Sequence, residues 1–325
     1  MMQVSVLYCH QSNQTTCLHL VVLLKYFFID SNIHMDCDTV SNFHLVTVAT
    51  KSEGYFQNFH ESCVRHGMPL TVLGWGETWR GFTWRFSLVM DFLKTLPKTD
   101  IVAFIDAYDV VCLRSKEDLI ARFKKYQSNL VFISEHQRHQ RIPFRWLSKP
   151  IFGEPCKGSE INGGFYIGYA GVLLDLLTKV YRIINLPGNR KTRRFKDDQF
   201  VWMHVCKHDL SDFFDKHVSF DTAGDIMYVS PVKTFSANEC DLGDLRDKDP
   251  VFFHCTLNRN MNKVLRYYGY EPRLESKQKS LFERSYDYAL LFWEIHWHSV
   301  ACCLLLCIAL CIMIIKKNCR KPITK

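Results

Sequence analysis

The sequence contains no Cys-x-x-Cys pair, although it carries 14 cysteines, so a zinc site built on that spacing has no footing. It also lacks internal repeats, low-complexity tracts and long linkers, which leaves one domain, over residues 43–270, as the simplest organisation. Excess charge is scarce outside the C-terminal tail. The net charge is +8, yet Lys316, Lys317, Arg320, Lys321 and Lys325 fall in the last ten residues with no acid among them. Removing those from the 41 basic residues leaves 36 against 33 acidic, too small a surplus for a nucleic-acid-binding face. No nucleic-acid partner is expected. What is present, 47% hydrophobic and 23% charged residues in 325, is the composition of a folded chain with ample core.

The most informative stretch is Thr99 to Val111, an apolar strand that ends in carboxylates. Ile101 to Ile105 is unbroken and apolar, the pattern of a strand covered on both faces. Open α/β sheets bind ligands beyond the carboxyl ends of their strands, which is where Asp106 and Asp109 fall, with Tyr108 between them. Two carboxylates crowded there favour a hard cation, and a cation is also what a diphosphate-bearing ligand requires. The same Asp-x-x-Asp also occurs as a simple loop or helix cap.

Around this strand the chain alternates strand and helix signals. Leu45–Ala49, Leu70–Leu73, Leu130–Ser134 and Val251–His254 read as strands. Phe86, Val89, Met90, Leu93 and Leu96 recur at helical spacing, as do Leu119, Ile120, Phe123 and Tyr126. Asp197–Cys206 reads as a helix with acids in its first turn. The alternation predicts an α/β domain with a mostly parallel sheet flanked by helices. Residues 1–42 are unassigned, 271–296 form a charged stalk, and 316–325 are the basic tail.

Between stalk and tail, Trp297–Ile315 is apolar except for His298 and Ser299 and would reach about 28 Å as a helix, close to the hydrocarbon thickness. Trp293 and Trp297 on one side and Lys316-Lys317 on the other are the flanks of a single membrane span. The basic flank prefers the cytosolic side, which places the large domain in a lumen or outside. Cys17–Ile29 is apolar enough for a short signal core but contains Lys25 and has no basic segment before it. If it is no signal, the chain is tail-anchored with its domain in the cytosol. Asn13-Gln14-Thr15 is a formal glycosylation sequon. The nine cysteines outside span and tail are odd in number, which argues against a complete disulfide framework but leaves room for one or two bridges.

Four blocks in order carry a family resemblance. They are Val46–Lys51 with Val72–Gly81; the strand bearing Asp106, Tyr108 and Asp109; Asn162–Ala170 with Asp197–Phe200; and Phe253-His254 with Asn262–Tyr270. Together they resemble the glycosyltransferase domain of procollagen lysyl hydroxylases and, more distantly, the collagen galactosyltransferases. The resemblance covers residues 43–270 and implies a GT-A-like, Rossmann-related fold. Nothing after residue 270 resembles the iron- and oxoglutarate-dependent hydroxylase part.

The resemblance implies that Asp106, Asp109 and His254 hold a manganese ion gripping the diphosphate of UDP-glucose or UDP-galactose. Two carboxylates and an imidazole suit manganese better than magnesium. It implies that Tyr108 and Trp79 pack on the donor, that Lys263 lies near the diphosphate, and that Asn162, Gly163 and Gly164 form a turn admitting the donor sugar. Asp197 and Asp198 are implied at the reacting centre, although both could equally cap a helix. The expected activity is hexosyl transfer to an acceptor hydroxyl, plausibly hydroxylysine of a collagen-like protein, in the endoplasmic reticulum or another secretory-pathway membrane. A nucleotide-sugar-binding protein without turnover, or a glycan or lipid acceptor, are the alternatives. Three departures matter: Lys196 stands where the family has another carboxylate, Cys255-Thr256-Leu257-Asn258 replaces Gly-Asn-Gly after the histidine, and Phe165 replaces a small residue. The basic run Arg190–Arg194 reads as a solvated loop or as a contact for an acidic acceptor.

Overall fold

The computed structural model describes residues 41–135, 154–231, 239–240, 242, 245, 248–256, 259–275, 306 and 308. The sequon, the apolar segment at 17–29, the stalk beyond residue 275, the basic tail and the 297–315 span, apart from Leu306 and Ile308, lie outside the described residues. Among the described residues no helix is long and apolar enough to cross a membrane.

Among the described residues nine strands fall in two sheets: β1 Phe43–Val48, β2 Leu70–Leu73, β3 Ile101–Ile105, β4 Val110–Cys112, β5 Leu130–Ser134, β6 Ile161–Tyr169, β7 Val218–Asp221, β8 Met227–Val229 and β9 Phe252–His254. The helices are α1 Phe56–Arg65, α2 Trp84–Leu93, α3 Lys116–Lys125, α4 Ala170–Ile184, α5 Pro187–Lys191, α6 Asp198–His204, α7 Ser211–His217 and α8 Asn262–Tyr267. The main sheet has the order β2-β1-β3-β6-β5-β7. β1 runs parallel to β2 and β3, and β5 parallel to β7. Only β6 is reversed, antiparallel to β3 and β5 on either side. The mostly parallel α/β sheet is therefore present, but it is mixed at its centre. The arrangement fits a GT-A-like fold.

β3 is apolar throughout because both its faces are covered. Val102 and Phe104 join the cluster with Phe86, Val89 and Leu93 of α2 and Leu173, Leu176, Leu177 and Val180 of α4. Ile101, Ala103 and Ile105 join Phe59 of α1 and Leu119 and Phe123 of α3 on the other side. The α4 positions recur at three- and four-residue steps, which puts them in one stripe.

The smaller sheet has the order β4-β9-β8, and its first strand follows β3 of the main sheet in the chain. Asp106 and Asp109 lie in the four-residue link between β3 and β4. In the smaller sheet Val110 pairs with His254, and Val229 flanks His254 on its other side. Pairing of β4 with β9 thus brings residue 254 beside residue 109 across a long stretch of chain.

Among the described residues two disulfides, Cys156–Cys206 and Cys240–Cys255, are formed, while Cys63 and Cys112 are buried free thiols. Beyond α6 the chain makes a wide π-helical turn over Val205–Asp209, closed by Leu210 N–H donating to the Val205 carbonyl at 2.7 Å.

The ring of Trp202 in α6 sits in a cage of Phe86, Phe132 and Tyr166, with ring centroids 5.0, 5.0 and 5.5 Å away. It is fully buried. Trp202→Ala should lower unfolding free energy by about 3–5 kcal/mol, read by urea denaturation of the folded chain.

Candidate active site at the junction of the two sheets

One ligand atom from each of Asp106, Asp109 and His254 lies within 4.8 Å of the others. His254 Nε2 stands 3.3 Å from Asp109 Oδ1 and 3.8 Å from Asp106 Oδ2. The imidazole is 3% exposed, and among the described residues its buried Nδ1 has no hydrogen-bond partner. Burial works to lower its pKa, but Asp109 and Asp106 outweigh that and raise it. The three side chains that the sequence singled out as ligands therefore converge.

A buried guanidinium, not foreseen in the sequence, sits beside them. Arg85, from the first turn of α2, pairs with Asp106 through one terminal nitrogen and with Asp198 through the other. Burial opposes its charge, and the two carboxylates more than restore it, so its pKa is raised. Burial pushes Asp198 up to about 6, against the pull of Arg85. Arg85 lies four residues before Val89 and eight before Leu93 on the buried stripe of α2. A charged residue on an apolar stripe was the available signal.

Glu135 was also overlooked. It follows β5 as Asp106 follows β3, so the same rule of acids at strand ends applies to it. Its Oε1 accepts from Asn162 Nδ2 at 3.2 Å and from Gln199 Nε2 at 3.3 Å. Burial raises its carboxyl pKa despite these donors.

Asn162, Gly163 and Gly164 do not form a turn. They lie within β6, and the reason for glycine there is space rather than backbone conformation. A Cβ on Gly164 would stand 2.6 Å from Asp106 Oδ2 and 2.7 Å from His254 Cε1. One on Gly163 would stand 3.1 Å from Asp198 Oδ2. The bare strand lets the acids and the imidazole close over it. Asn162 Oδ1 accepts the Gly164 N–H at 2.9 Å, which fixes its amide toward Glu135. Phe165, one residue on, is fully buried on the opposite face against Phe252 at 5.6 Å, so that departure is absorbed by the core.

The paired aspartates divide. Asp197 is the N-cap of α6, accepting the Phe200 N–H at 2.8 Å, while Asp198 turns to Arg85. Lys196 is exposed at the end of a 3₁₀ turn over Arg193–Lys196. In the basic run before it, Arg190 and Lys191 are exposed and Arg194 packs over the Phe200 ring at 4.3 Å.

Tyr108 is held by the end of the first sequence block. Its hydroxyl accepts the Thr50 N–H and donates to the Lys51 carbonyl, both at 3.2 Å. Its own carbonyl accepts the Tyr55 N–H at 2.8 Å, past Gly54, whose φ of +58° and 2.7 Å clearance to that carbonyl oxygen require glycine. Trp79 is 42% exposed, edge-on to Phe82 and Trp84. Lys263 on α8 is exposed and pairs with Glu239 at 2.5 Å.

A family model described as the PLOD GT domain matches residues 39–200. Over those residues the match supports a glycosyltransferase domain of the PLOD type. Procollagen-lysine,2-oxoglutarate 5-dioxygenase 1 of Rattus norvegicus is 27% identical over 154 residues, covering 44% of this chain and 21% of the relative. Its Gallus gallus counterpart is 31% identical over 147 residues, covering 42% and 20%. Procollagen-lysine,2-oxoglutarate 5-dioxygenase of Drosophila melanogaster is 26% identical over 146, covering 40% and 19%. The chain thus spans about a fifth of the length of the curated relatives it matches. The PLOD GT match includes Asp106, Asp109, Arg85 and Asp198 but ends before His254, which the fold alone brings to the site.

Asp197→Ala should cost about 1 kcal/mol of stability as a lost cap, measured by urea unfolding, with the geometry of the acid cluster intact. Gly164→Ala should instead fold and lose divalent-cation binding, because its methyl group occupies the space between Asp106 and His254.

Proposed function

We propose that this chain is a metal-dependent hexosyltransferase that moves glucose or galactose from a UDP-sugar to an acceptor hydroxyl. The observation that carries the reading is the convergence of Asp106, Asp109 and His254 at the end of β3, inside a domain of the PLOD GT family. The residues present fit a cation. Asp106 and Asp198 share one guanidinium while Asp109 stands beside His254, so carboxylates outnumber the fixed positive charge, and Gly164 leaves the cluster open. Mixed nitrogen and oxygen donors favour manganese.

In this reading Asp106, Asp109 and His254 hold the ion, and Tyr108 offers its ring to the uracil, with Trp79 further along the donor. A bound cation would offset the charge that grows on the diphosphate as UDP departs. Asn162, fixed by Glu135 and by the Gly164 N–H, presents a rigid polar edge to the sugar. Asp198 would receive the acceptor proton or face positive charge on the sugar ring, held by its pair with Arg85. Asp197 supports it as the cap of α6. Lys263, paired with Glu239, is the basic residue assigned to the diphosphate in this reading.

That the relatives are procollagen-lysine 5-dioxygenases favours a procollagen-like lysine derivative as acceptor. The Cys156–Cys206 and Cys240–Cys255 bridges favour an oxidising compartment and hence the secretory pathway. Attachment to that membrane through residues 297–315 rests on the sequence pattern. A second reading, a nucleotide-sugar-binding protein without turnover, is favoured by Asp197 being spent on a cap and Asp198 being locked to Arg85.

With UDP-glucose and UDP-galactose as donors, purified full chain should release UDP in the presence of Mn2+ and not without it. Asp109→Ala should reduce that release on the order of a hundredfold or more. Unchanged turnover in Asp109→Ala refutes the metal site. Mn2+-dependent UDP binding without transfer to collagen peptides, glycans or lipids favours the second reading.

A further inference from the structure

We propose that the Cys240–Cys255 disulfide positions His254 for the cation, so that opening it weakens metal binding while the fold persists. This rests on the metal reading above. β9 is three residues long and ends at His254. Side chains alternate along a strand, so Phe253 and Cys255 turn away from the acids while His254 turns toward them. Phe253 and Cys255 are buried together with Cys240, Tyr55, Val111 and Met261 in one cluster behind the site. The bridge is the first covalent tie after the strand stops.

It also reaches the other ligands through the backbone. The Cys255 N–H donates to the Asp109 carbonyl at 2.8 Å. On the far side, the Cys240 N–H donates to the Asn260 carbonyl at 2.8 Å, and the Met261 N–H donates to the Tyr55 hydroxyl at 3.0 Å. Tyr55 in turn donates its N–H to the Tyr108 carbonyl at 2.8 Å, between the two acids. The bridge thus closes a ring of contacts around the segment 106–109 and the imidazole. The other bridge, Cys156–Cys206, lies in a different cluster that contains no proposed ligand, and it serves as the control.

Mn2+ binding to the full chain is read without turnover, from the loss of the free aqua-ion signal in electron paramagnetic resonance. Cys240→Ser/Cys255→Ser should bind Mn2+ about tenfold more weakly, the range seen when groups orienting metal ligands are removed. Cys156→Ser/Cys206→Ser should bind within about twofold of the parent even where its melting temperature falls. Equal affinity in the first variant overturns the proposal, as does an equal loss in both. If the first variant does not fold, the native chain is reduced with a water-soluble phosphine. The phosphine becomes its oxide, with oxygen from water, and the bridge becomes two thiols. Alkylation and mass spectrometry report which bridge has opened. Affinity that falls in step with alkylation of Cys240 and Cys255 supports the proposal; affinity that holds with both alkylated overturns it. A parent chain that takes up no Mn2+ at all refutes the metal reading and this one together.

Discussion

The site depends on one buried guanidinium shared between two carboxylates. Arg85 enters from α2, whose placement is set by Phe86, Val89 and Leu93 packing on the sheet. Its two terminal nitrogens then hold Asp106, which follows β3, and Asp198, which opens α6. A pair taken out of water in this way gains little net stability, since desolvation offsets most of the attraction. What it confers is geometry. Removing Arg85 would leave the buried Asp198 carboxylate without its partner, a loss of about 3–5 kcal/mol. Core packing and site shape are therefore coupled: a shift of α2 on the sheet moves the guanidinium, and both acids go with it.

The charge balance around Arg85 explains why this place suits a cation. Three carboxylates and one guanidinium gather beyond the end of β3, and Asp109 and Asp106, outweighing burial, favour a proton on His254. A divalent ion would replace that proton with a stronger and better-centred charge. Among the described residues the imidazole's other nitrogen is buried without a partner. That is costly in a finished core and tolerable in a site whose ring orientation is imposed from the backbone by β4 and β8.

Much of this was legible from residues alone. The apolar run 101–105 and the acids after it announced both the buried strand and the cluster, because burial on two faces and a charged strand end leave unmistakable marks. Leu70–Leu73 and Leu130–Ser134 fall on strands with the same ends as expected. β6 did not announce itself. Its Asn-Gly-Gly opening carries the signature of a turn, yet those glycines are extended and make room for side chains from other strands, a demand that exists only once the strands are assembled. Arg85 was hidden for a related reason: its value lies in two partners remote in the chain. Asp197 and Asp198 are adjacent and chemically identical, and only the direction of α6 assigns one to capping and the other to the guanidinium. Cysteine pairing was equally beyond reach, since scattered single cysteines carry no record of their mates.

β6 also constrains its own alignment. Gly164 must lie under Asp106 and His254, while Phe165 must fill the space beside Phe252 on the reverse side. Because the pleat has a period of two, sliding the strand by one place would drive a phenyl ring into the acids and leave a hole in the interior. The smallest and one of the largest side chains in the alphabet, set next to each other, act as a latch against misalignment of the central reversed strand.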